Sequence, residues 1–291
     1  MLSILIPTYN YDASKLIFEL HSQLLREHIP FEIICIEDGS STNIAHTEAF
    51  EAAKINYQQN HKNIGRTATR NKLARLAHYE WLLFLDADVI PSSQDFIKNY
   101  LSYLQQQYEV IIGGCAYAET HADKTTVLRW KYGKIREEID CHQRNQNPYQ
   151  HIFSGNLLIK KECFLSTNLS DAPAYGMDVV FAYSLFKENV AVLHINNFVM
   201  HLGLEKNEVF FKKSLKAVSV RKQFLLNKPE IEKISPLLRH YKRLKRYKLA
   251  SLTKWMFIQT EPFLKKRILS ANPSLFCLDL YRLGYLCLDK T

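Results

Sequence analysis

The feature that most constrains the fold is an uncharged apolar run that ends in two closely spaced carboxylates. Residues 81–85 are all apolar, and Asp86 and Asp88 follow with a single alanine between them. A strand without charge is typically buried on both faces, as in covered, largely parallel sheets. In open α/β sheets, ligands bind outside the carboxyl ends of the strands. The run therefore predicts an α/β fold with chemistry placed at the two aspartates.

The spacing of the two aspartates suits a divalent metal ion. Mg²⁺ and Mn²⁺ prefer oxygen ligands and are commonly held by one or two carboxylates, with water and substrate phosphates completing the shell. An acidic-x-acidic triplet also occurs in solvated loops and helix caps. The rest of the chain must therefore decide between these interpretations.

Strands and helices alternate along the first 205 residues, which predicts a doubly wound α/β sheet. A polar stretch without periodicity, residues 141–148, is predicted to be a mobile loop. From Glu205 onward the pattern is helical almost throughout. We therefore predict a catalytic domain over residues 1–205 and a basic helical extension over residues 206–291.

Charge is divided unevenly between these two parts. Residues 206–291 contain 20 Lys and Arg against 6 Asp and Glu, which leaves 18 basic and 23 acidic residues in the first part. Opposite net charges indicate two different tasks.

The composition indicates a globular protein in a reducing compartment. The six cysteines have no paired spacing typical of zinc or redox sites. Residues 1–7 lack a basic leader, and no run approaches the roughly 18 apolar residues needed to cross a bilayer. The expected location is therefore cytoplasmic.

Four short motifs occur in order in the first part of the chain. Residues 3–10 read Ser-Ile-Leu-Ile-Pro-Thr-Tyr-Asn, and residues 37–40 read Glu-Asp-Gly-Ser. Residues 63–71 contain Asn-Ile-Gly and Arg-Asn, and residues 84–88 read Phe-Leu-Asp-Ala-Asp. In this order and spacing they resemble the motifs of family 2 inverting glycosyltransferases with a GT-A fold. The resemblance covers about residues 2–205 and implies a GT-A-like doubly wound mixed sheet.

Two later motifs extend the resemblance. Residues 154–156, Ser-Gly-Asn, resemble the turn that lines the sugar and acceptor side. Residues 175–178, Tyr-Gly-Met-Asp, resemble the loop that supplies the general base. The family often has Glu-Asp there, whereas this chain has Met177 before Asp178, so Asp178 is the only local candidate. Processive members carry a Gln-x-x-Arg-Trp signature and membrane spans; neither is found here, which implies a bacterial non-processive enzyme.

The resemblance implies a role for each candidate residue. Asp178 is the expected general base, which takes the proton of the acceptor hydroxyl. The predicted metal ligands are Asp88, Asp86 and His201, with Asp88 the direct ligand and Asp86 touching the ribose or a metal-bound water. The expected contacts to the nucleotide sugar are Pro7, Thr8, Tyr9, Glu37, Asp38, Gly65, Arg66, Asn71, Asp86 and Ala87, with Ser154, Gly155 and Asn156 on the donor-sugar and acceptor side.

The expected reaction moves one hexosyl or N-acetylhexosaminyl group from a nucleoside-diphosphate donor, foremost a UDP-sugar, to a hydroxyl of a glycan or lipid-linked acceptor. Mn²⁺ or Mg²⁺ would stabilise the charge that develops on the leaving diphosphate. Surface polysaccharide synthesis is the expected setting. A metal-dependent nucleotidyltransferase is an alternative, because it also uses carboxylates at strand ends, but it releases pyrophosphate.

The basic extension allows several partners. Six Lys and Arg and one His lie within residues 239–248, and the apolar residues 255–258 follow after six intervening residues. A nucleic-acid backbone would attract such charge, but the interleaved aromatic residues favour an anionic membrane surface, with the protein peripheral at the inner face of the cytoplasmic membrane. Packing on the catalytic domain and oligomerisation are further alternatives.

Overall fold

The computed structural model describes residues 1–41, 47–168 and 175–288, and these form two compact units. The second unit includes two segments from within the predicted catalytic domain, and the predicted boundary at residue 205 stays a prediction. The described ranges are 1–41, 47–116, 138–168 and 184–203 in the first unit, and 117–137, 175–183 and 204–288 in the second.

The strands lie in two sheets of the first unit. The larger has the order β3-β2-β1-β4-β8-β6-β9 and the smaller the order β5-β10-β7. Their bounds are β1 Leu2–Thr8, β2 Phe31–Glu37, β3 Asn56–Gln59, β4 Trp81–Leu85, β5 Val89–Pro91, β6 Val110–Ile112, β7 Cys115–Ala116, β8 Asn156–Lys160, β9 Val192–His194 and β10 Val199–His201.

The larger sheet is mixed, which confirms the predicted α/β class. Strand β1 pairs in parallel with β2 and β4, whereas β8 runs antiparallel to both of its neighbours. All five residues of β4 are buried, as its lack of charge predicts. Because β1, β2 and β4 are parallel, their carboxyl ends lie at one edge of the sheet, and the residues that follow them meet there.

The helices have the bounds α1 Ser14–Arg26, α2 Thr47–Ala52, α3 Arg66–Leu76, α4 Phe96–Leu101, α5 Val127–Arg136, α6 Cys141–Gln146, α7 Lys161–Thr167, α8 Asp178–Lys187, α9 Asn207–Val220, α10 Pro236–Arg246, α11 Ala250–Ile268 and α12 Leu275–Cys287. Helix α1 buries the leucines and isoleucine that recur at helical spacing, Leu16, Ile17, Leu20 and Leu24. The predicted loop at residues 141–148 was wrong, since α6 forms there with its first turn capped by the Asp140 side chain.

The second unit is helical and has its own apolar core. Phe211 and Phe257 each place their ring 4.9 Å from that of Tyr281, in edge-to-face geometry. No helix within the described ranges is long and apolar enough to cross a membrane. The buried members of this core are Leu128, Phe210, Phe211, Phe257, Leu264, Ile268, Leu275, Leu278 and Tyr281.

Candidate active site

Asp38 follows β2 and ties the sheet edge to the start of α3. Its carboxylate is buried and accepts three hydrogen bonds, from the Asn60 side chain at 2.8 Å and from the backbone N–H groups of Ile64 and Gly65 at 2.9 Å each. The Gly65 backbone has φ +91°, a conformation that favours glycine. Asp38, predicted as a nucleotide contact, thus fixes the turn that leads into α3.

Glu37, the last residue of β2, is buried and also bonded within the protein. Its carboxylate accepts a hydrogen bond from the Tyr57 hydroxyl at 2.6 Å and one from the Ser40 N–H at 3.1 Å. Burial and this hydrogen bond raise the pKa of Tyr57, so the phenol remains a donor. Glu37 therefore braces β2 against β3.

The loop after β1 brings a residue to the site that sequence reasoning missed. Thr8 donates its hydroxyl hydrogen to the Tyr11 carbonyl at 2.6 Å, while Tyr9 is 54% exposed. Burial and the nearby charge of Asp88 raise the pKa of Tyr11. No local sequence signal marks Tyr11, because its proximity to Asp88 depends on the pairing of β1 with β4.

Asp86 is held by two arginines of α3. Arg66 Nη2 lies 2.7 Å from one carboxylate oxygen, and Arg70 Nη2 lies 2.7 Å from the other. Burial alone would raise the pKa of Asp86, but the charges of Arg66 and Arg70 outweigh it and hold the pKa at about 2. Asp86 is consequently ionised throughout the physiological pH range.

Arg70 is a second residue that sequence reasoning left out of the site. It is buried and also donates to the Ser154 carbonyl at 2.7 Å. The available signal was its spacing: Arg66 and Arg70 are four residues apart and so share one face of α3. A Cβ on Gly155 would lie 2.5 Å from an Asp86 oxygen. The turn at residues 154–156 can therefore approach Asp86 this closely only because residue 155 is glycine.

Some predicted contacts have their side chains bonded elsewhere. Asn156 accepts from the Tyr100 hydroxyl at 2.6 Å and donates to two backbone carbonyls at 2.8 Å. Asn71 accepts from Asn168 at 2.8 Å. Ala87 is buried, and Pro7 lies within β1. The structure thus gathers Ser154, Gly155 and Arg66 around Asp86, and gives Asn156 and Asn71 other partners.

Asp88 and His201 converge because β5 and β10 pair antiparallel, with His201 opposite Val89. Asp88 Oδ2 and His201 Nε2 are 3.9 Å apart, which is too long for a hydrogen bond. Two ligands held about 2.1 Å from one Mg²⁺ lie roughly 3–4 Å apart. A Cβ on Gly203 would lie 2.0 Å from Asp88 Oδ2. The carboxylate, the imidazole and the glycine therefore fit a divalent cation.

Burial raises the pKa of Asp88, as does the charge of Asp86, while His201 opposes the shift. A carboxylate whose charge is disfavoured in this way gains from a bound cation. Asp88 differs in this from Asp86, whose charge the two arginines already balance.

Asp178, the predicted base, begins α8 in the second unit. The preceding Gly176 has φ +96°, and Met177 is buried. Acidic residues in the first turn of a helix are stabilised by its dipole. The loop of residues 175–178 therefore presents one carboxylate at a helix start.

The family model described as Glycosyl transferase family 2 matches residues 3–164. Chondroitin synthase from Pasteurella multocida is 30% identical over 223 residues, covering 64% of this chain and 23% of that protein. The chain spans about a quarter of the length of the curated relatives it matches.

Solved structures show the same fold. A mannosyltransferase from Pyrobaculum calidifontis, in complex with GDP-Man and Mn²⁺, has a TM-score of 0.58 at 14% identity, covering 97% of this chain and 79% of that one. Glucosyl-3-phosphoglycerate synthase from Mycobacterium tuberculosis, in complex with Mg²⁺ and UDP, has a TM-score of 0.53 at 15% identity, covering 77% and 79%. Both likenesses concern the fold alone.

Proposed function

The chain belongs to glycosyl transferase family 2, and from that premise we propose that it is an inverting, metal-dependent enzyme that transfers a single sugar. The donor is a nucleoside-diphosphate sugar, foremost a UDP-sugar that carries a hexosyl or N-acetylhexosaminyl group. The acceptor is a hydroxyl group of a glycan or a lipid-linked sugar. The proposed setting is bacterial surface polysaccharide synthesis.

The observation that carries the proposal is the arrangement of Asp88, His201 and Gly203 beyond the carboxyl end of β4. Asp88 and His201 lie 3.9 Å apart with the cradle of Gly203 beside them. A bound Mn²⁺ or Mg²⁺ would stabilise the negative charge that develops on the leaving diphosphate. Asp88 and His201 would hold that ion.

The neighbouring residues orient the donor. Asp86 is fixed by Arg66 and Arg70, so its position is set before the donor binds, and its oxygens can receive a ribose hydroxyl without rearrangement. Thr8 ends β1, Tyr9 follows it, and both would contact the base. Glu37 and Asp38 shape the same end of the sheet through their internal hydrogen bonds.

Asp178 is the proposed general base. An inverting displacement needs one carboxylate that removes the proton of the acceptor hydroxyl while the oxygen attacks the anomeric carbon. Its place at the start of α8 suits an ionised side chain. Met177 supplies no second carboxylate, so the proton is assigned to Asp178.

The exposed apolar face of α11 supports peripheral membrane binding. This face consists of Leu252, Trp255, Met256 and Phe263, which recur at helical spacing, and Trp255 and Phe263 are 61% and 62% exposed. The preceding helix α10 carries Arg243, Lys245 and Arg246 in its last turn. Apolar aromatic residues beside a basic cluster suit an anionic bilayer surface. We therefore propose attachment at the inner face of the cytoplasmic membrane.

A panel of donors tests the proposed activity. Thermal unfolding of the full chain is measured with UDP-, GDP- and dTDP-sugars, each with Mn²⁺ and with a chelator. We expect one nucleotide class to raise the melting temperature, and Mn²⁺ to be required, because ligand binding to the folded state stabilises it. A panel without any stabilising donor would contradict the proposal.

Product analysis separates the proposed activity from that of a nucleotidyltransferase. The glycosyltransferase releases a nucleoside diphosphate from the sugar donor, whereas a nucleotidyltransferase releases pyrophosphate from a nucleoside triphosphate. Incubation with each substrate class and chromatography of the nucleotides distinguishes the two. Pyrophosphate release without diphosphate release would assign the alternative.

A further inference from the structure

The loop of residues 175–178, which includes Asp178, packs on helix α9. Lys213, Ala217 and Arg221 follow one another at four-residue intervals and so share one face. Lys213 Nζ lies 5.3 Å from the centre of the Tyr175 ring, within cation–π range. A Cβ on Gly176 would lie 2.8 Å from the Ala217 Cβ, so the loop rests directly on the helix. Arg221 lies one turn further along the same face.

Arg221 interacts electrostatically with Asp178 and with Tyr175. It begins a π-helical segment, Arg221–Leu225, that continues α9. Such segments are rare and are often found at functional sites. The Arg221 guanidinium donates through Nη1 to the Ala217 carbonyl at 2.8 Å. That hydrogen-bond partner is neutral, so Asp178 is the carboxylate that acts on the charge of the arginine.

A second arginine, Arg282 on α12, interacts with Arg221. Its Nε is buried and has no hydrogen-bond partner among the residues that the structure describes. Its Nη1 lies 3.9 Å from Asp279, a carboxylate that also receives a hydrogen bond from Arg136 at 2.9 Å. Arg282 therefore shares this carboxylate with another arginine.

Three arginines, Arg136, Arg221 and Arg282, interact with two carboxylates, Asp178 and Asp279, so the site has an excess of positive charge. Burial, followed by the charge of Arg282, lowers the pKa of Arg221 to about 10. Two neighbouring cations removed from water destabilise each other unless an anion lies between them. Guanidinium groups bind carboxylates and phosphates through paired, charge-assisted hydrogen bonds. The arrangement suits an anion of that kind.

We propose that Arg221 and Arg282 bind an anionic group of the acceptor, a phosphate or a carboxylate, beside Asp178. The assignment to the acceptor rests on the proposed function, in which Asp178 is the base. In an inverting displacement the acceptor attacks from the face opposite the leaving group. An anion beside the base therefore belongs to the acceptor and not to the leaving diphosphate.

Anion binding is tested first without any transfer reaction. Thermal unfolding of the full chain is followed against inorganic phosphate and, separately, glucuronate, with sodium chloride keeping the ionic strength constant. We expect a saturable rise in melting temperature for at least one anion. Arg282→Gln should weaken the apparent affinity at least 10-fold, whereas Arg282→Lys should keep part of it.

The matched control is Arg75→Gln, which removes one guanidinium from an exposed position on α3. It should leave the response to both anions unchanged. Far-ultraviolet circular dichroism confirms that each variant is folded. The proposal is overturned if Arg282→Gln responds to both anions as the wild type does, or if neither anion stabilises the wild type beyond chloride.

Kinetics separate this inference from the proposed function. With the donor found in the panel, we compare neutral acceptors with acceptors of the same sugar that carry a phosphate or carboxylate. Arg282→Gln should raise KM at least 10-fold for a charged acceptor, with the donor KM unchanged. If charged and neutral acceptors respond alike, the inference fails and the transferase assignment stands. If no acceptor receives sugar but the Arg282-dependent anion response persists, the proposed function fails and the anion site stands.

Discussion

Buried charges have internal partners at the sheet edge of the first unit, whereas the arginines of the second unit outnumber their carboxylates. At the sheet edge, Asp38 accepts three internal hydrogen bonds and Asp86 is paired with two arginines. In the second unit, three arginines, Arg136, Arg221 and Arg282, interact with two carboxylates, Asp178 and Asp279. Charges that the protein balances itself can position other groups, whereas charges left in excess call for a ligand.

Asp86 and Asp88 show the same difference within three residues of chain. The arginines hold the pKa of Asp86 at about 2, while burial raises the pKa of Asp88. Asp86 already has its cations and is suited to positioning. Asp88 lies beside His201 and Gly203, where a metal ion can supply the missing positive charge.

The largest expected effect is on metal-dependent donor binding. Asp88→Asn removes the charged ligand from an ion held by few protein groups, so the nucleotide's affinity in Mn²⁺ should fall by roughly 100-fold or more. Calorimetry with the nucleotide identified in the panel measures it. Asp95→Asn, at an exposed aspartate before α4, is the control. Unchanged affinity in Asp88→Asn would remove Asp88 from the metal site.

Asp178→Asn should act on turnover alone. The amide cannot accept the hydroxyl proton, so kcat should fall by roughly 10²-fold or more, the usual contribution of a positioned base. Donor affinity, measured by calorimetry, should stay within about twofold. Substantial remaining transfer would mean that another group takes the proton.

Asp38→Ala tests whether the carboxylates of the first unit are structural. The substitution leaves the N–H groups of Ile64 and Gly65 and the Asn60 amide without their acceptor, so unfolding should be easier by about 2–3 kcal/mol. Urea unfolding followed by circular dichroism measures the change. Glu119→Ala, at an exposed ion pair, should cost less than about 0.5 kcal/mol. If Asp38→Ala also lowered the free energy of unfolding by less than about 0.5 kcal/mol, the Asp38 carboxylate would not be structural. Its predicted contact with the nucleotide would then be its remaining role.

The smallest effect concerns the membrane surface of the second unit. Each Lys or Arg near an anionic leaflet contributes about 1 kcal/mol, and the apolar face of α11 adds burial. In vesicle flotation at physiological salt, the full chain should float with anionic but not neutral lipid, and Trp255→Ser combined with Phe263→Ser should reduce the floating fraction several-fold. If the wild type does not float with anionic vesicles, the membrane proposal is wrong, and the apolar face of α11 is a packing or oligomerisation surface.

Local pattern predicted the elements of the fold well. The uncharged run at residues 81–85 is a fully buried central strand, and Leu16, Ile17, Leu20 and Leu24 of α1 face the core. The helix at residues 141–146 was missed because its main local signal is one capping aspartate, Asp140, without apolar periodicity. Hydrophobic periodicity predicts which face of a helix or strand is buried, and it gives no signal for an element that is mostly polar.

By itself, the sequence determined the α/β class, the family and the carboxylates that follow the strands, because each depends on residues close together in the chain. Tertiary structure decided which partner each charge receives. Asp86 meets Arg70 and the turn at Ser154, and Arg221 meets Arg282. These residues are 16 to 68 positions apart in the sequence, so strand order and helix packing bring them together. Electrostatic interactions depend on distance in space, and local sequence does not encode that distance.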